Sequence, residues 1–144
     1  MSEGEGTPWG ISGTLRYRLD LPVETPSNNV IKGMHFHAYK TLRQQWQLMV
    51  KASLKGAFPD SPVERSFLVI ERRCSGGGLD WDNAYGGLKP VLDCLVRPSA
   101  RNPDGLGIIE DDNPKNMPFP PFLKQTKAKV GQGSSTIFIY ELNE

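Results

Sequence analysis

A strict alternation of apolar and charged residues over residues 13–22 constrains the fold more than any other feature of the chain. The apolar members of this stretch are Leu15, Tyr17, Leu19 and Leu21. Because successive side chains of a strand point to opposite faces, the pattern predicts a half-buried β-strand. The same alternation in residues 135–142 predicts the last strand, and the apolar run in residues 66–73 predicts another.

Two helices are predicted between these strands. Residues 37–55 repeat apolar side chains at helical spacing, and the stripe consists of Leu42, Trp46, Met49 and Val50. Residues 88–96 predict a shorter helix, which requires Pro90 to lie in its first turn. The expected fold is α+β, with a mixed sheet packed by two main helices in one domain, residues 13–144. Residues 1–12 are expected to be a flexible tail.

The length and the cysteine content exclude several classes of protein. The chain has 144 residues, no apolar run of membrane-spanning length and an N-terminus unlike a signal peptide. Two cysteines, Cys74 and Cys94, do not make a disulfide framework, so a cytoplasmic protein is expected. Together with His35 and His37 they lack the spacing of a zinc finger, and zinc is not expected.

Acidic residues are concentrated in two short stretches, LDWDNAYGGLK (79–89) and IIEDDNP (108–114). Residues 74–112 have an acidic excess, whereas residues 30–73 have a basic excess. This segregation is typical of a nucleic-acid-binding surface around an acidic metal site. The alternative is chance, since blocks of sequence need not form patches in space.

The first stretch predicts paired carboxylates. Asp80 and Asp82 flank Trp81 at the end of an expected strand, so a period of two puts both on one face. Adjacent carboxylates repel unless a cation lies between them, and a hard divalent ion with oxygen ligands satisfies both. Candidates for a third ligand are Glu110, Asp111 and Asp112. The alternative is a solvated turn and a charged loop.

Two other motifs fail against this stretch. An EF-hand loop requires Asp or Asn at position five, Gly at six and Glu at twelve, where this chain has Ala84, Tyr85 and Val91. A Walker loop requires Gly-Lys-Ser/Thr, but Lys89 is followed by Pro90.

Five motifs in order carry a resemblance to a known family. They are TPSNN (25–29), DWDN (80–83), LKPVLDCLV (88–96), GIIEDDNPK (107–115) and IFIYEL (137–142). With this set, nearly the whole chain resembles the RusA family of Holliday-junction resolvases, particularly the versions found in phages and prophages. The resemblance implies a homodimeric endodeoxyribonuclease that depends on Mg²⁺, with Mn²⁺ as the alternative ion. It implies that the enzyme resolves four-way DNA junctions by paired incisions, in the bacterial host cytoplasm if a phage encodes it.

The resemblance also implies roles for individual residues. Asp80, Asp82 and Asp112 match the metal-binding aspartates, and Lys89, four residues before Asp93, matches the active-site lysine. The chain departs from the family in residues 85–87, which look inserted before the lysine. It departs again in the long loop 97–104 and in the proline-rich segment MPFPPF (117–122).

Further residues are candidates for contacts with DNA or for support of the site. A basic stripe on the first helix, opposite its apolar stripe, is expected to contact phosphates or to be merely solvated; it comprises Lys40, Arg43, Lys51 and Lys55. Asn28 and Asn29 are candidate DNA contacts, although turn chemistry alone explains them. Asn83 is expected to cap the following helix or to hold a carboxylate, and Asp111 to support the metal site from outside its ligand set. Trp81 is expected to lie in the core, with stacking on a base as the alternative.

Two rival functions remain open. The first is a metal-dependent nuclease with the same acids that acts on a flap, a nick or RNA. The second is a branched-DNA-binding protein that has kept the fold without turnover, although the three intact acids argue against it.

Overall fold

The computed structural model describes residues 7–143. In chain order, the elements are β1 (Gly13–Leu21), α1 (Asn28–Ile31), α2 (Phe36–Ser53), β2 (Ser66–Cys74), α3 (Trp81–Gly86), α4 (Lys89–Leu95), β3 (Phe122–Lys127) and β4 (Ser134–Leu142). A short 3-10 helix, Pro8–Gly10, precedes β1.

The four strands form one mixed sheet in the order β1-β4-β2-β3. β4 lies between β1 and β2 and is antiparallel to both, whereas the edge strand β3 is parallel to β2. The α+β expectation is confirmed, and β1, β2 and β4 match the strands that the sequence predicts.

One face of the sheet carries the main core. Leu68, Ile70, Ile137 and Ile139 are fully buried there, in one cluster with apolar side chains of α2 and α4. The predicted apolar stripe of α2 is confirmed, since Trp46 and Val50 are buried in this cluster and Leu42 and Met49 pack against it. Burial of each large aliphatic side chain contributes roughly 1.5–3 kcal/mol.

The opposite face carries a smaller cluster that includes Phe67, Val69 and Tyr140. A bulge between Leu15 and Tyr17 interrupts the register of β1 with β4. As a result Leu15 packs on this smaller cluster while Tyr17 packs on the main one. The prediction of a single apolar face from Leu15 to Leu21 is therefore wrong at Leu15, because an extra residue in one strand reverses the side-chain alternation.

Part of the expected tail belongs to the fold. Trp9 lies against Phe67 and Phe122, with ring centroids 6.0 and 5.4 Å apart, and Ile11 is buried in the smaller cluster. Trp9 and Ile11 therefore pack on the sheet, contrary to the expected tail. Residues 1–6 lie outside the described residues.

The helix boundaries differ from the prediction where the backbone reverses. α2 ends at Ser53 because Lys55 and Gly56 have positive φ angles of 52° and 84°. α4 spans Lys89–Leu95 with its proline in the first turn, as predicted.

Within residues 7–143, no helix combines the length and apolarity that crossing a membrane requires. Cys74 and Cys94 are free and buried.

Candidate functional site

The segment with the first two aspartates is a helix start, not the end of a strand. Asp80 is the N-cap of α3, and Asp82 lies in its first turn. Two residues apart on a helix differ by about 200° in direction, so the predicted same-face arrangement of Asp80 and Asp82 is wrong. Both residues are exposed. Asp82 accepts the backbone N–H of Asn83 at 2.9 Å, and its charge favours the N-terminus of α3.

The loop before α1 is in contact with α3, although more than fifty residues separate them in sequence. The backbone N–H of Asn29 donates to Oδ1 of Asn83 at 2.9 Å. Ser27 caps α1 by accepting the N–H of Val30, so α1 begins at Asn28. Asn83 thus connects α3 to α1 and accepts an N–H in the first turn of this earlier helix, whereas the expected cap was of the following helix.

Glycines allow this contact to form. A Cβ on Gly86 would lie 2.7 Å from Cγ of Asn28, and a Cβ on Gly87 would overlap the carbonyl oxygen of Pro26. Gly86 and Gly87 therefore leave the space that residues 26–28 occupy. Asn28 and Asn29 lie at this contact, beside the helix that carries Asp82.

We expect Gly87→Ala to displace the 26–28 loop and to destabilise the protein by about 1–3 kcal/mol, as overpacking does. The matched control is Gly77→Ala, because a Cβ at Gly77 meets nothing within 4 Å. Urea unfolding of the two variants measures the difference. Equal stability of the two variants would contradict the close approach at Gly87.

Lys89 lies on the exposed side of α4 and contacts Asp93. Its Nζ is 3.4 Å from Oδ2 of Asp93 and 5.5 Å from the ring centroid of Tyr39. The hydroxyl of Tyr39 donates to the same carboxylate oxygen at 2.6 Å. Burial and then this hydrogen bond to Asp93 raise the pKa of Tyr39 well above its usual range, so the hydroxyl keeps its proton and remains a donor. Asp93 therefore holds both the lysine and the tyrosine.

Asp93 also lines a cleft with several acidic residues. The cleft has a volume of about 350 Å³, and its lining includes Asp93, Asn102, Glu110, Asp111 and Asp112. Loss of water around Asp112 raises the pKa of its carboxyl group, and Asp111 and Asp93 raise it further. Lys89 and Asp112 are thus both neighbours of Asp93.

The other acids of this loop already have partners. Glu110 accepts a hydrogen bond from the guanidinium of Arg97 at 2.8 Å. Asp111 accepts the backbone N–H of Asp112 at 2.8 Å and the side-chain amide of Asn113 at 3.0 Å. Through these two bonds Asp111 orders the loop around Asp112. Because Arg97 pairs with Glu110 and Asp111 accepts two hydrogen bonds, Asp112 is the acid of this loop best suited to bind a cation.

The donor chemistry fits a hard divalent cation, but no complete ligand set is preassembled. Across residues 7–143, no group of three or more His, Cys, Asp or Glu side chains is close enough to hold a metal ion. Mg²⁺ is commonly held by one or two carboxylates together with water and substrate phosphates. Of the three aspartates that the resemblance implies as ligands, Asp112 lines the cleft, whereas Asp80 and Asp82 lie at the start of α3.

The predicted basic stripe is not continuous. Arg43 is 7% exposed, and its Nε donates to Asp104 at 2.8 Å, so its guanidinium belongs to the interior and the prediction of a phosphate contact there is wrong. Lys55 lies beyond the end of α2. Lys40 and Lys51 remain exposed on one side of the helix, since eleven residues return to within about 20° of the same direction.

Trp81 is exposed, and the expectation that it lies in the core is wrong. Its side chain is 55% exposed between the two aspartates. The ring of Tyr85, one turn further along α3, lies 6.3 Å from it, and the Tyr85 hydroxyl accepts the backbone N–H of Leu123 at 3.1 Å. An indole with one supported side and one free side is able to stack on a base.

The contacts of Tyr39 and Asp93 have no signal in the sequence motifs. Tyr39 lies on α2 and Asp93 on α4, and their bond forms only because these helices pack together. No protein-family model matches this chain, and no curated protein sequence matches it.

Proposed function

We propose that this protein is a metal-dependent endodeoxyribonuclease that resolves four-way DNA junctions by paired phosphodiester hydrolysis. Because two strands must be cut at symmetric positions, the proposal includes a homodimer with one site in each protomer. The expected ion is Mg²⁺, with Mn²⁺ as the alternative.

The position of Asp93 between Lys89 and the acid-lined cleft is the observation that carries the proposal. Its carboxylate contacts the lysine at 3.4 Å and lines the same cleft as Asp112. A cation and several acids at one place suit phosphodiester chemistry, in which a phosphate must be bound and its growing charge neutralised. The contact of Asn29 with Asn83 brings a second sequence-predicted segment against α3, the helix that precedes Lys89 in the chain.

The residues of the chain have separate tasks in this proposal. Lys89 supplies a positive charge to the scissile phosphate, and Asp93 with Tyr39 fixes the direction of its side chain. Asp80, Asp82 and Asp112 would hold the divalent cation, which supplies Lewis-acid stabilisation of the phosphate when bound. Trp81 stacks on a base next to the site, and Lys40 and Lys51 contact the DNA backbone further away.

A second candidate function is binding of branched DNA without cleavage. It is favoured by one observation, namely that the described part of the chain contains no ready-made group of three metal-ligating side chains. In this case the exposed Trp81, Lys40 and Lys51 keep their roles, while the acids only shape the surface. A third outcome is cleavage of flaps, nicks or RNA by the same residues.

A direct assay compares a synthetic four-way junction with a flap and a linear duplex of matched sequence, each with and without Mg²⁺. The proposal predicts paired cuts in the junction only when the ion is present. It also predicts that the protein sediments as a dimer. Binding of the junction without cuts in either condition favours the second candidate, and preferential cutting of the flap favours the third. Cleavage of the junction, the flap and the linear duplex at equal rates would overturn the proposal.

Asp82→Asn should abolish junction cleavage and leave junction binding unchanged or tighter. The substitution removes a proposed ligand for the cation and also a negative charge that repels phosphate. Cleavage under single-turnover conditions and binding without divalent ions are the two measurements. Cleavage near the wild-type rate would remove Asp82 from the proposed site.

We expect Trp81→Ala to weaken junction binding by about 1–3 kcal/mol, the range found for single base–aromatic stacks. Trp9→Ala is the matched control, because Trp9 is 62% exposed but lies on the opposite face of the sheet. Titration with DNA at constant salt measures both affinities. Equal weakening by the two substitutions would show that Trp81 has no specific stacking role.

A further inference from the structure

Arg72 is a buried cation at the point where two segments of the candidate site meet the sheet. It follows Leu68 and Ile70 on the helix-covered face of β2 and is only 7% exposed. A charge in such a place is costly unless it is paired and hydrogen-bonded. The period of two that points Leu68 and Ile70 toward the helices points Arg72 to the same face, and partners from other elements bury it there.

The contacts of Arg72 lead first to the loop before α1. Its Nη2 is 3.2 Å from Oε1 of Glu24, and its Nε donates to the carbonyl oxygen of Thr25 at 2.9 Å. The other oxygen of Glu24 accepts the backbone N–H and the hydroxyl of Ser75, at 3.3 and 3.0 Å. The loop is thereby fixed to the end of β2 just before the residues that contact Asn83.

The contacts of Arg72 lead secondly to Gln125 on β3. Nη1 of Arg72 donates to Oε1 of Gln125 at 3.3 Å. The same Oε1 accepts the backbone N–H of Leu79 at 2.9 Å, while Nε2 of Gln125 donates to the carbonyl oxygen of Leu79 at 2.8 Å. One side chain therefore satisfies both backbone groups of Leu79, as a neighbouring strand would. Arg72 sets the orientation of the amide, since its N–H requires the oxygen.

Leu79 immediately precedes Asp80, and the chain before it has little packing of its own. A Cβ at Gly76 or Gly77 would meet nothing within 4 Å, and the nearest atoms to a Cβ at Gly78 belong to Gln125. The start of α3 is therefore held on this side by the amide of Gln125, where a less glycine-rich chain would use side-chain packing.

We propose that Arg72 and Gln125 are positioning residues of the candidate site. Gln125, oriented by Arg72, holds residues 79–83. Arg72 also holds residues 25–29 through its contacts with Glu24 and Thr25. The guanidinium of Arg72 therefore sets the separation of the two segments. Neither residue touches the substrate. The effect on cleavage rests on the proposed function, whereas the ordering of residues 79–83 does not. Displacement of a catalytic group by about 1 Å costs up to about 10²-fold in rate.

The test uses two substitutions of one side chain. Gln125→Leu removes both bonds to Leu79 and the bond to Arg72, whereas Gln125→Glu keeps an acceptor for Leu79 and Arg72 but loses the donor. Thr126→Val is the matched control on the same strand, because Thr126 is exposed and bonds to Glu71 instead. Hydrogen exchange at the amides of residues 79–83, single-turnover cleavage, junction affinity and thermal melting are measured for each variant.

We expect Gln125→Leu to accelerate exchange at Leu79 by about tenfold or more, the effect of losing one hydrogen bond. Its cleavage rate should fall by about 10- to 100-fold with junction affinity nearly unchanged, because position and not binding is lost. Gln125→Glu should keep the protection of Leu79 and recover part of the rate. Thr126→Val should match the parent protein in every measurement.

Two results would overturn the inference. One is unchanged exchange over residues 79–83 in Gln125→Leu, which is informative even if the parent protein cuts no DNA. The other is an active parent protein with a Gln125→Leu variant that cuts equally fast. A parent protein that neither cuts nor binds junctions refutes the proposed function alone, since the exchange data still decide whether Gln125 orders the segment.

Discussion

Lys89→Ala should lower the rate of junction cleavage by about 10²–10³-fold, equivalent to roughly 3–4 kcal/mol of transition-state stabilisation. The substitution removes the positive charge that lies beside Asp93 and the acid-lined cleft. Single-turnover cleavage at saturating Mg²⁺ measures the rate. Folding should change little, because the side chain of Lys89 is 64% exposed and an exposed ion pair contributes only about 0–1 kcal/mol.

Lys89→Arg is the control that keeps the positive charge but changes the shape of the charged group. It should restore only part of the rate, since a planar guanidinium does not replace a compact ammonium group in a close contact with phosphate. If Lys89→Ala cuts as fast as the parent protein, residues 85–87 have displaced the lysine from the proposed site. Lys115, which follows the Asp111-Asp112 pair and is exposed, would then be the next residue to test.

Arg43→Ala should destabilise the fold by about 3–5 kcal/mol, because it leaves the carboxylate of Asp104 buried without its partner. The side chains of this pair are 8% and 10% exposed, and the two atoms are 2.8 Å apart. Urea unfolding gives the loss directly. The double variant Arg43→Met with Asp104→Leu should be less destabilised than Arg43→Ala, since it buries no unpaired charge.

Lys40→Ala and Lys51→Ala are the matched controls on the same helix. Both lysines are exposed, so each substitution should change stability by less than about 0.5 kcal/mol. Their proposed role is contact with phosphate, and together they should reduce the salt dependence of junction binding. An Arg43→Ala variant as stable as these controls would contradict the buried ion pair.

The elements that were predicted correctly depend on local periodicity. In β4 and α2, apolar side chains recur at the period of a strand and of a helix, whereas β2 contains a continuous apolar run. Such a pattern is a property of the backbone geometry and needs no knowledge of the partner. α3 was missed because it has only six residues, too few to show a helical repeat.

The site depended much less on local pattern. The order of the motifs in the sequence identified the acidic residues and Lys89 as candidates. It did not show in which directions their side chains point. Asp80 and Asp82 diverge because a helix starts between them, and Trp81 is exposed because α3 turns it away from the core. Asn83 bonds to Asn29 of α1, fifty-four residues earlier, so no local motif showed its partner.

By itself the sequence determined which stretches alternate, which are amphipathic and which concentrate charge, because these are properties of neighbouring residues. Only the tertiary structure decided which charges are buried, since Arg43 and Asp104 are sixty-one residues apart and Arg72 and Gln125 fifty-three. The physical reason is that a polar side chain leaves water only where a partner from another element replaces its hydrogen bonds. Those partners meet only when the helices pack on the sheet and β3 pairs with β2.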